Sequence, residues 1–145
     1  MVQRLNSEQT RQIIRDLVPS GFTKLRLPEP VMEEPVVESG SVMASTSIGR
    51  SYGMFGEDLK PTGFFIGLVM PDPMTGFLVG MEHIWWAAPG VNGLPLLAQF
   101  ESDCREEGCA RVICGYSDFE SPKVMSRLYR RLGYTKFSTS VTKEL

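Results

Sequence analysis

The stretch from Gly76 to Tyr134 constrains the fold more than any other part of the chain, because its apolar period changes twice within it. Phe77 to Trp86 is rich in large apolar side chains and suits a strand. Leu96, Leu97, Phe100 and Cys104 then recur at helical spacing, and Glu106, Glu107 and Gly108 close that helix. Ala110 to Tyr116 reads as a short buried strand. A helix is the usual crossover between parallel strands, so this strand is expected to run parallel to its partner. Ser121 followed by Pro122 starts a last helix, whose face carries Val124, Met125, Leu128 and Leu132. Gly133 ends it as a left-handed cap, and Tyr134 to Thr142 returns as a strand.

Upstream, Tyr52 to Phe55 and Thr62 to Met70 read as two more strands. Pro71-Asp72-Pro73-Met74-Thr75-Gly76 makes a turn by composition, because proline fixes φ and glycine accepts φ > 0. These three strands predict an antiparallel meander. Residues 1 to 5 suit a short edge strand, followed by a helix starting near Ser7 with Glu8 in its first turn. Ile13, Ile14, Leu17 and Val18 form the apolar stripe of that helix, and Pro19, Ser20 and Gly21 end it. Pro28 to Pro35 reads as an irregular connector, or as the opening of a second helix. From Val36 to Arg50, Val37, Met43 and Ile48 can share one helical face. The fold class is α/β (α+β), a mixed, mostly antiparallel central sheet flanked by helices.

A chain of 145 residues with 42% hydrophobic and 22% charged residues fits one domain, residues 1 to 145, around one core. The net charge of -2 and pI near 5.5 give no basic footprint, so no nucleic-acid partner is expected. No apolar run approaches the roughly 18 to 20 residues that span a bilayer, and the N-terminus lacks the apolar core of a signal peptide. A soluble chain made in a cytoplasm, with no membrane partner, is the expectation. Cys104, Cys109 and Cys114 are odd in number and suit reduced thiols. His83 is the only histidine, and no metal is expected.

Several motifs occur in a telling order. Glu82-His83-Ile84-Trp85-Trp86-Ala87-Ala88-Pro89 ends one strand, and Leu96-Leu97-Ala98-Gln99-Phe100-Glu101 opens the next helix. Leu128-Tyr129, Gly133-Tyr134 and Lys143-Glu144-Leu145 follow near the C-terminus. In order and spacing, residues 50 to 145 resemble the GCN5-related N-acetyltransferase (GNAT) superfamily, in particular its small versions encoded by tailed phages.

The resemblance implies direct transfer of an acetyl or related acyl group from acyl-CoA, as acetyl-CoA, to an amine. It makes Glu82 the base that takes the amine proton, with Trp85 and Phe65 as apolar neighbours that would raise its pKa. The other reading of Glu82 is a solvated carboxylate on an exposed strand. It makes Tyr129 the acid that protonates the departing thiolate, against a plain packing role between Met125 and Leu132. The acyl-CoA would lie along Ile84, Trp85 and Trp86, with its pyrophosphate on the amides of Val91, Asn92, Gly93 and Leu94 at a helix N-terminus. Trp85 and Trp86 alternate, so one enters the core and the other faces a cleft or partner.

The phosphate loop departs from the family pattern of Gln or Arg-x-x-Gly-x-Gly or Ala. Gly90-Val91-Asn92-Gly93-Leu94-Pro95 is several residues shorter, lacks the arginine, and loses an N–H at Pro95. At about 1.5 to 3 kcal/mol for each hydrogen bond to a charged group, two lost contacts weaken binding roughly 100-fold or more. Arg127, Arg130 and Arg131 either approach the phosphates or form a solvated face. The acceptor would be a small-molecule or protein amine. The competing expectation is a non-catalytic GNAT-fold component of a phage particle, self-associating or bound to structural partners in the virion, for which the Met-rich stretch between residues 28 and 56 would supply adaptable contacts.

Overall fold

Three consecutive antiparallel strands, β2 (Gly49–Phe55), β3 (Pro61–Pro71) and β4 (Leu78–Ala87), form the centre of a five-stranded sheet. Strand β1 (Val2–Arg4) pairs antiparallel with β2 at one edge, and β5 (Arg111–Ile113) pairs parallel with β4 at the other. The computed structural model describes residues 1–21, 32–116, 122–137 and 143. The chain divides into two compact units, Met1–Gly115 and Tyr116–Leu145.

In the first unit, helices α1 (Ser7–Gly21) and α2 (Glu33–Ser45) cover one face of the sheet. Their core contains Leu5, Ile13, Ile14, Leu17, Val18 and Val37 against Phe64 and Ile66, with Ile84 and Trp86 packed at its side. Helix α3 (Leu94–Glu106) covers the opposite face, where Phe100 meets Phe65 at 4.8 Å between ring centroids and Tyr52 at 6.3 Å. Because side chains alternate along a strand, Phe64 and Phe65 serve the two cores separately. Gly67 and Gly80 leave the space that Phe100 fills. A Cβ on Gly67 would lie 2.5 Å from that ring, and one on Gly80 would lie 3.1 Å from it.

Local signals explain most element boundaries. Asn6, not Ser7, caps α1: its Oδ1 accepts the Gln9 N–H at 2.9 Å, and Gln9 Oε1 accepts the Asn6 N–H at 3.0 Å. The Pro19-Ser20-Gly21 tripeptide forms the last turn of α1. Residues 28–31 of the expected connector lie outside the described residues. Glu33 to Pro35 form the first turn of α2 instead of irregular chain, since proline is tolerated where no N–H is needed. Val37 is buried and Met43 packs on the core, but Ile48 falls beyond the helix and is exposed, so it does not share their face.

Strand β5 is shorter than expected and only half-buried. The hairpin between β3 and β4 is organised by Asp72, whose Oδ1 accepts the N–H groups of Met74 and Thr75 at 2.9 and 3.0 Å. Arg111 of β5 pairs with the same carboxylate, and the Ala110 N–H donates to the Leu78 carbonyl at 2.8 Å. Beneath α3, Asp103 accepts hydrogen bonds from Tyr52 at 2.7 Å and Gln99 at 2.8 Å. Burial first, and this bond second, push the Tyr52 phenol pKa up.

In the second unit, α4 (Pro122–Arg131) buries Tyr129, while Val124 and Leu132 are exposed rather than lining a core face. Gly133 takes φ 89°, as a left-handed cap requires. Residues 134–137 carry no strand pairing, and 138–142 lie outside the described residues.

Two measurements test this packing. Gly67→Ala is expected to cost about 1 to 3 kcal/mol in denaturant unfolding, because the Phe100 ring cannot yield as a flexible chain end would. Arg50 and Glu107 form a bidentate pair with contacts of 2.7 and 2.5 Å. The Arg50 hydrogen bond holds the Glu107 carboxyl below its ordinary 4.5. A depressed carboxyl pKa stabilises the fold above the unfolded value and stops doing so as pH falls through the folded value. Glu107→Gln is therefore expected to lower stability at pH 7 and to lose that difference as pH falls below the unfolded value and through the depressed folded one, in urea titrations across pH.

Candidate active site

Strands β4 and β5 pair at Val79↔Arg111, Gly80↔Val112 and Met81↔Ile113, and there the pairing ends. Strand β4 itself continues from Glu82 to Ala87 against β3. At the same point the register with β3 shifts: Ile66 faces Ile84 but Gly67 faces Glu82, so His83 is the extra residue of a bulge. A bulge sharpens twist and bends its strand, which accounts for β5 letting go where it does. The Arg111–Asp72 pair closes one end of the β4–β5 seam, and the bulge opens the other.

Glu82 is the first residue past the last β4–β5 pair. It is half-buried, and its Oε2 accepts the Gly115 N–H at 3.3 Å, across the start of the opening. The carboxylate thus touches the main chain beyond β5 while staying open to solvent.

The two tryptophans serve opposite faces, as their alternation predicts. Trp86 lies 6.5 Å from Phe64, and its side chain, with that of Ile84, packs on the α1–α2 core. Trp85 lies 6.4 Å from Phe65 on the α3 face. Its indole Nε1 comes within 3.0 Å of where a Gly93 Cβ would be, so the turn leading into α3 rests on this ring. A side chain at position 93 would push the two apart.

That turn satisfies much of its own main chain. The Val91 N–H donates to the Ala88 carbonyl at 2.9 Å, the Leu94 N–H to Asn92 Oδ1 at 3.1 Å, and the Leu96 N–H to the Gly93 carbonyl at 3.1 Å. Leu94, Pro95 and Leu96 are the first three residues of α3, and Pro95 has no N–H. Its first-turn donors are therefore already committed. Among the described residues, the amides of Gly90, Asn92 and Gly93 are those the turn leaves for a ligand. The sequence supplies no lysine or arginine between His83 and Cys104. A pyrophosphate would find a sparse cradle here.

His83 sits in the bulge, and partial burial lowers its pKa from the ordinary 6.5. Tyr129, in the second unit, is buried between Tyr116, stacked at 6.0 Å, and Tyr134, edge-on at 5.2 Å. These rings, rather than Met125 and Leu132 alone, surround it. The three cysteines form no disulfide, and burial, helped by Cys109, pushes the Cys104 thiol up to about 12. Among the described residues no three His, Cys, Asp or Glu side chains come together as a metal site would require.

Sequence reasoning missed the bulge at His83, the Gly115 N–H that holds Glu82, and the Asn92 side chain that occupies the Leu94 amide. Only the last had a visible signal, since Asn followed by Gly commonly folds its side chain onto the main chain two residues on.

No protein-family model matches the chain, and no curated protein matches its sequence. Its fold does match solved structures over nearly their whole length. A ribosomal-protein-alanine N-acetyltransferase from Brucella melitensis superposes with TM-score 0.71 at 12% identity, covering 100% of this chain and 98% of that one. An acetyltransferase from Trypanosoma brucei gives 0.69 at 16% identity, covering 100% and 99%. The aminoglycoside N-acetyltransferase AAC(6')-Iy, solved in complex with CoA, gives 0.75 at 13% identity, covering 100% and 93%. Identities this low speak for the fold alone, and the fold of this chain is that of the GCN5-related N-acetyltransferases.

Proposed function

We propose that this protein transfers an acyl group, such as acetyl, from a pantetheine thioester of the acyl-CoA type directly to an amine. The observation that carries this reading is the opening between β4 and β5 past Met81↔Ile113, beside the start of α3, with Glu82 at its inner end. A slender thioester arm can lie in such an opening with its carbonyl near a carboxylate. The amine nitrogen attacks the thioester carbonyl, a C–N bond forms and the C–S bond breaks. The proton lost by the amine passes to Glu82, directly or through one water. The departing thiolate takes a proton, for which Tyr129 is the candidate donor. Ile84, Trp85 and Trp86 supply the main chain and packing along the arm, and the turn from Val91 to Leu94 lies at its far end. The fold likeness to N-acetyltransferases supports this class of reaction, and the Gly115 hydrogen bond supports a positioned base.

One observation favours a second reading, a non-catalytic GNAT-fold component of a phage particle. Met74 and Phe77, at the tip of the β3–β4 hairpin, are 91% and 66% exposed, an apolar tip of the kind a partner covers. The Met-rich stretch offers it less than expected, since Met43 and Met54 belong to the folded core and Met32 is exposed. Copurification in fixed stoichiometry with a larger assembly would favour this reading.

Calorimetric titration with acetyl-CoA is expected to show binding, and Glu82→Gln is expected to retain that binding. Its turnover with an amine acceptor should fall about 10²- to 10⁴-fold, the usual contribution of a positioned base. Absence of binding at millimolar acetyl-CoA would remove the enzymatic reading.

A further inference from the structure

The described cations of the first unit have carboxylate partners before any ligand arrives. Every lysine and arginine described between Met1 and Gly115 is paired with a carboxylate. On or beside α3, Arg4 is paired with Asp103, Arg105 with Glu101 and Arg50 with Glu107, and on β5 Arg111 is paired with Asp72. Between Glu82 and Cys104 the charged side chains are Glu82, Glu101 and Asp103, all acidic. A nucleotide diphosphate placed at the start of α3 would meet no counter-charge from this unit's described residues. It would also find the first-turn amides of α3 taken by Asn92 Oδ1 and the Gly93 carbonyl, or absent at Pro95. To use the Leu94 N–H it would have to displace the Asn92 side chain. Of the features of a phosphate site at a helix N-terminus, the Gly90, Asn92 and Gly93 amides remain, whereas the first turn of α3 and the described cations of this unit already have partners.

The opening between β4 and β5 is not compromised in the same way. A pantetheine arm is thin, carries two secondary amides, and can lie against an extended strand as an added strand does. We infer that the acyl donor is recognised through its pantetheine arm, and that the nucleotide half of acyl-CoA adds little to binding. The substrate class is therefore an acyl-pantetheine thioester, whether the arm ends in a nucleotide or in a single phosphate borne by another carrier. This rests on the acyl-transfer reading above and narrows it.

The test is calorimetric titration of the full chain with CoA, with pantetheine, and with adenosine 3′,5′-bisphosphate, the nucleotide half without the arm. CoA and pantetheine are expected to bind within about tenfold of each other. The bisphosphate is expected not to displace either of them at millimolar concentration. Raising salt from about 0.05 to 0.5 M is expected to weaken CoA no more than pantetheine, because no phosphate contact is there to be screened. CoA binding roughly 1000-fold tighter than pantetheine, or competition by the bisphosphate, would overturn the inference while leaving acyl-CoA as the donor. If neither CoA nor pantetheine binds, the acyl-transfer reading fails and takes the inference with it.

Discussion

The parting of β5 from β4 after Met81↔Ile113 is the constraint on which the candidate site depends. Two attachments decide which strand moves away. The outer half of β4 is fastened to β3 by aromatic pairs on both faces, Trp86 on Phe64 and Trp85 on Phe65, each continuous with a packed core. Strand β5 ends at Ile113, and its pairing with β4 ends there too. It is held at the hairpin end by Arg111 on Asp72 and by the Ala110 N–H on the Leu78 carbonyl. When the bulge at His83 turns β4, β4 stays with β3 and β5 does not follow. Glu82, at the pivot, keeps one hydrogen bond to Gly115 on the departing segment, which sets where the carboxylate sits.

The opening and the adjacent turn pull in different directions. An opening beside a carboxylate suits a thioester arm, whereas a turn that bonds much of its own main chain leaves a large anion only the Gly90, Asn92 and Gly93 amides. One scaffold hosts many activities, so the fold cannot decide between catalysis and a structural role. The side chains carry more weight. Asn92 spends its acceptor on the Leu94 amide, Trp85 braces Gly93 from below, and the arginines near α3 brace the sheet and helix through Glu107, Asp72 and Glu101. These are structural uses of groups that a nucleotide site would keep available. A donor read mainly through its arm reconciles the two.

Much of the sheet was legible because its signals are local and strong. Phe64 to Met70 and Phe77 to Trp86 have the bulk of strands buried on both faces, and the proline-rich turn between them leaves few options. Glu82 drew attention through the order of motifs around it, and it lies one residue past the last β4–β5 pair. The second helix was legible only through Val37 and Met43, because Ser39, Gly40 and Ser41 carry little apolar pattern; a Cβ on Gly40 would press on the methyl ends of Ile14 and Ile66. The bulge was invisible, since an extra residue such as His83 changes pairing without changing composition. The shortness of β5 was equally hidden: Cys114 extends the apolar run, and only the geometry of β4 decides where pairing stops. Of the hydrogen bonds of the turn, the one that Asn92 accepts from the Leu94 N–H had a local signal in the Asn-Gly pair, whereas the backbone bonds of Val91 and Leu96 had none.

The most direct test of the account is a crystal structure with a non-reactive thioether analogue of acetyl-pantetheine. The account predicts electron density along β4 from Ala87 toward Glu82, on the side that β5 has left, with the acyl carbonyl within reach of the Glu82 carboxylate directly or through one water. Density elsewhere on the molecule, or Glu82 to Ala87 paired with the chain's own residues in place of the ligand, would contradict it.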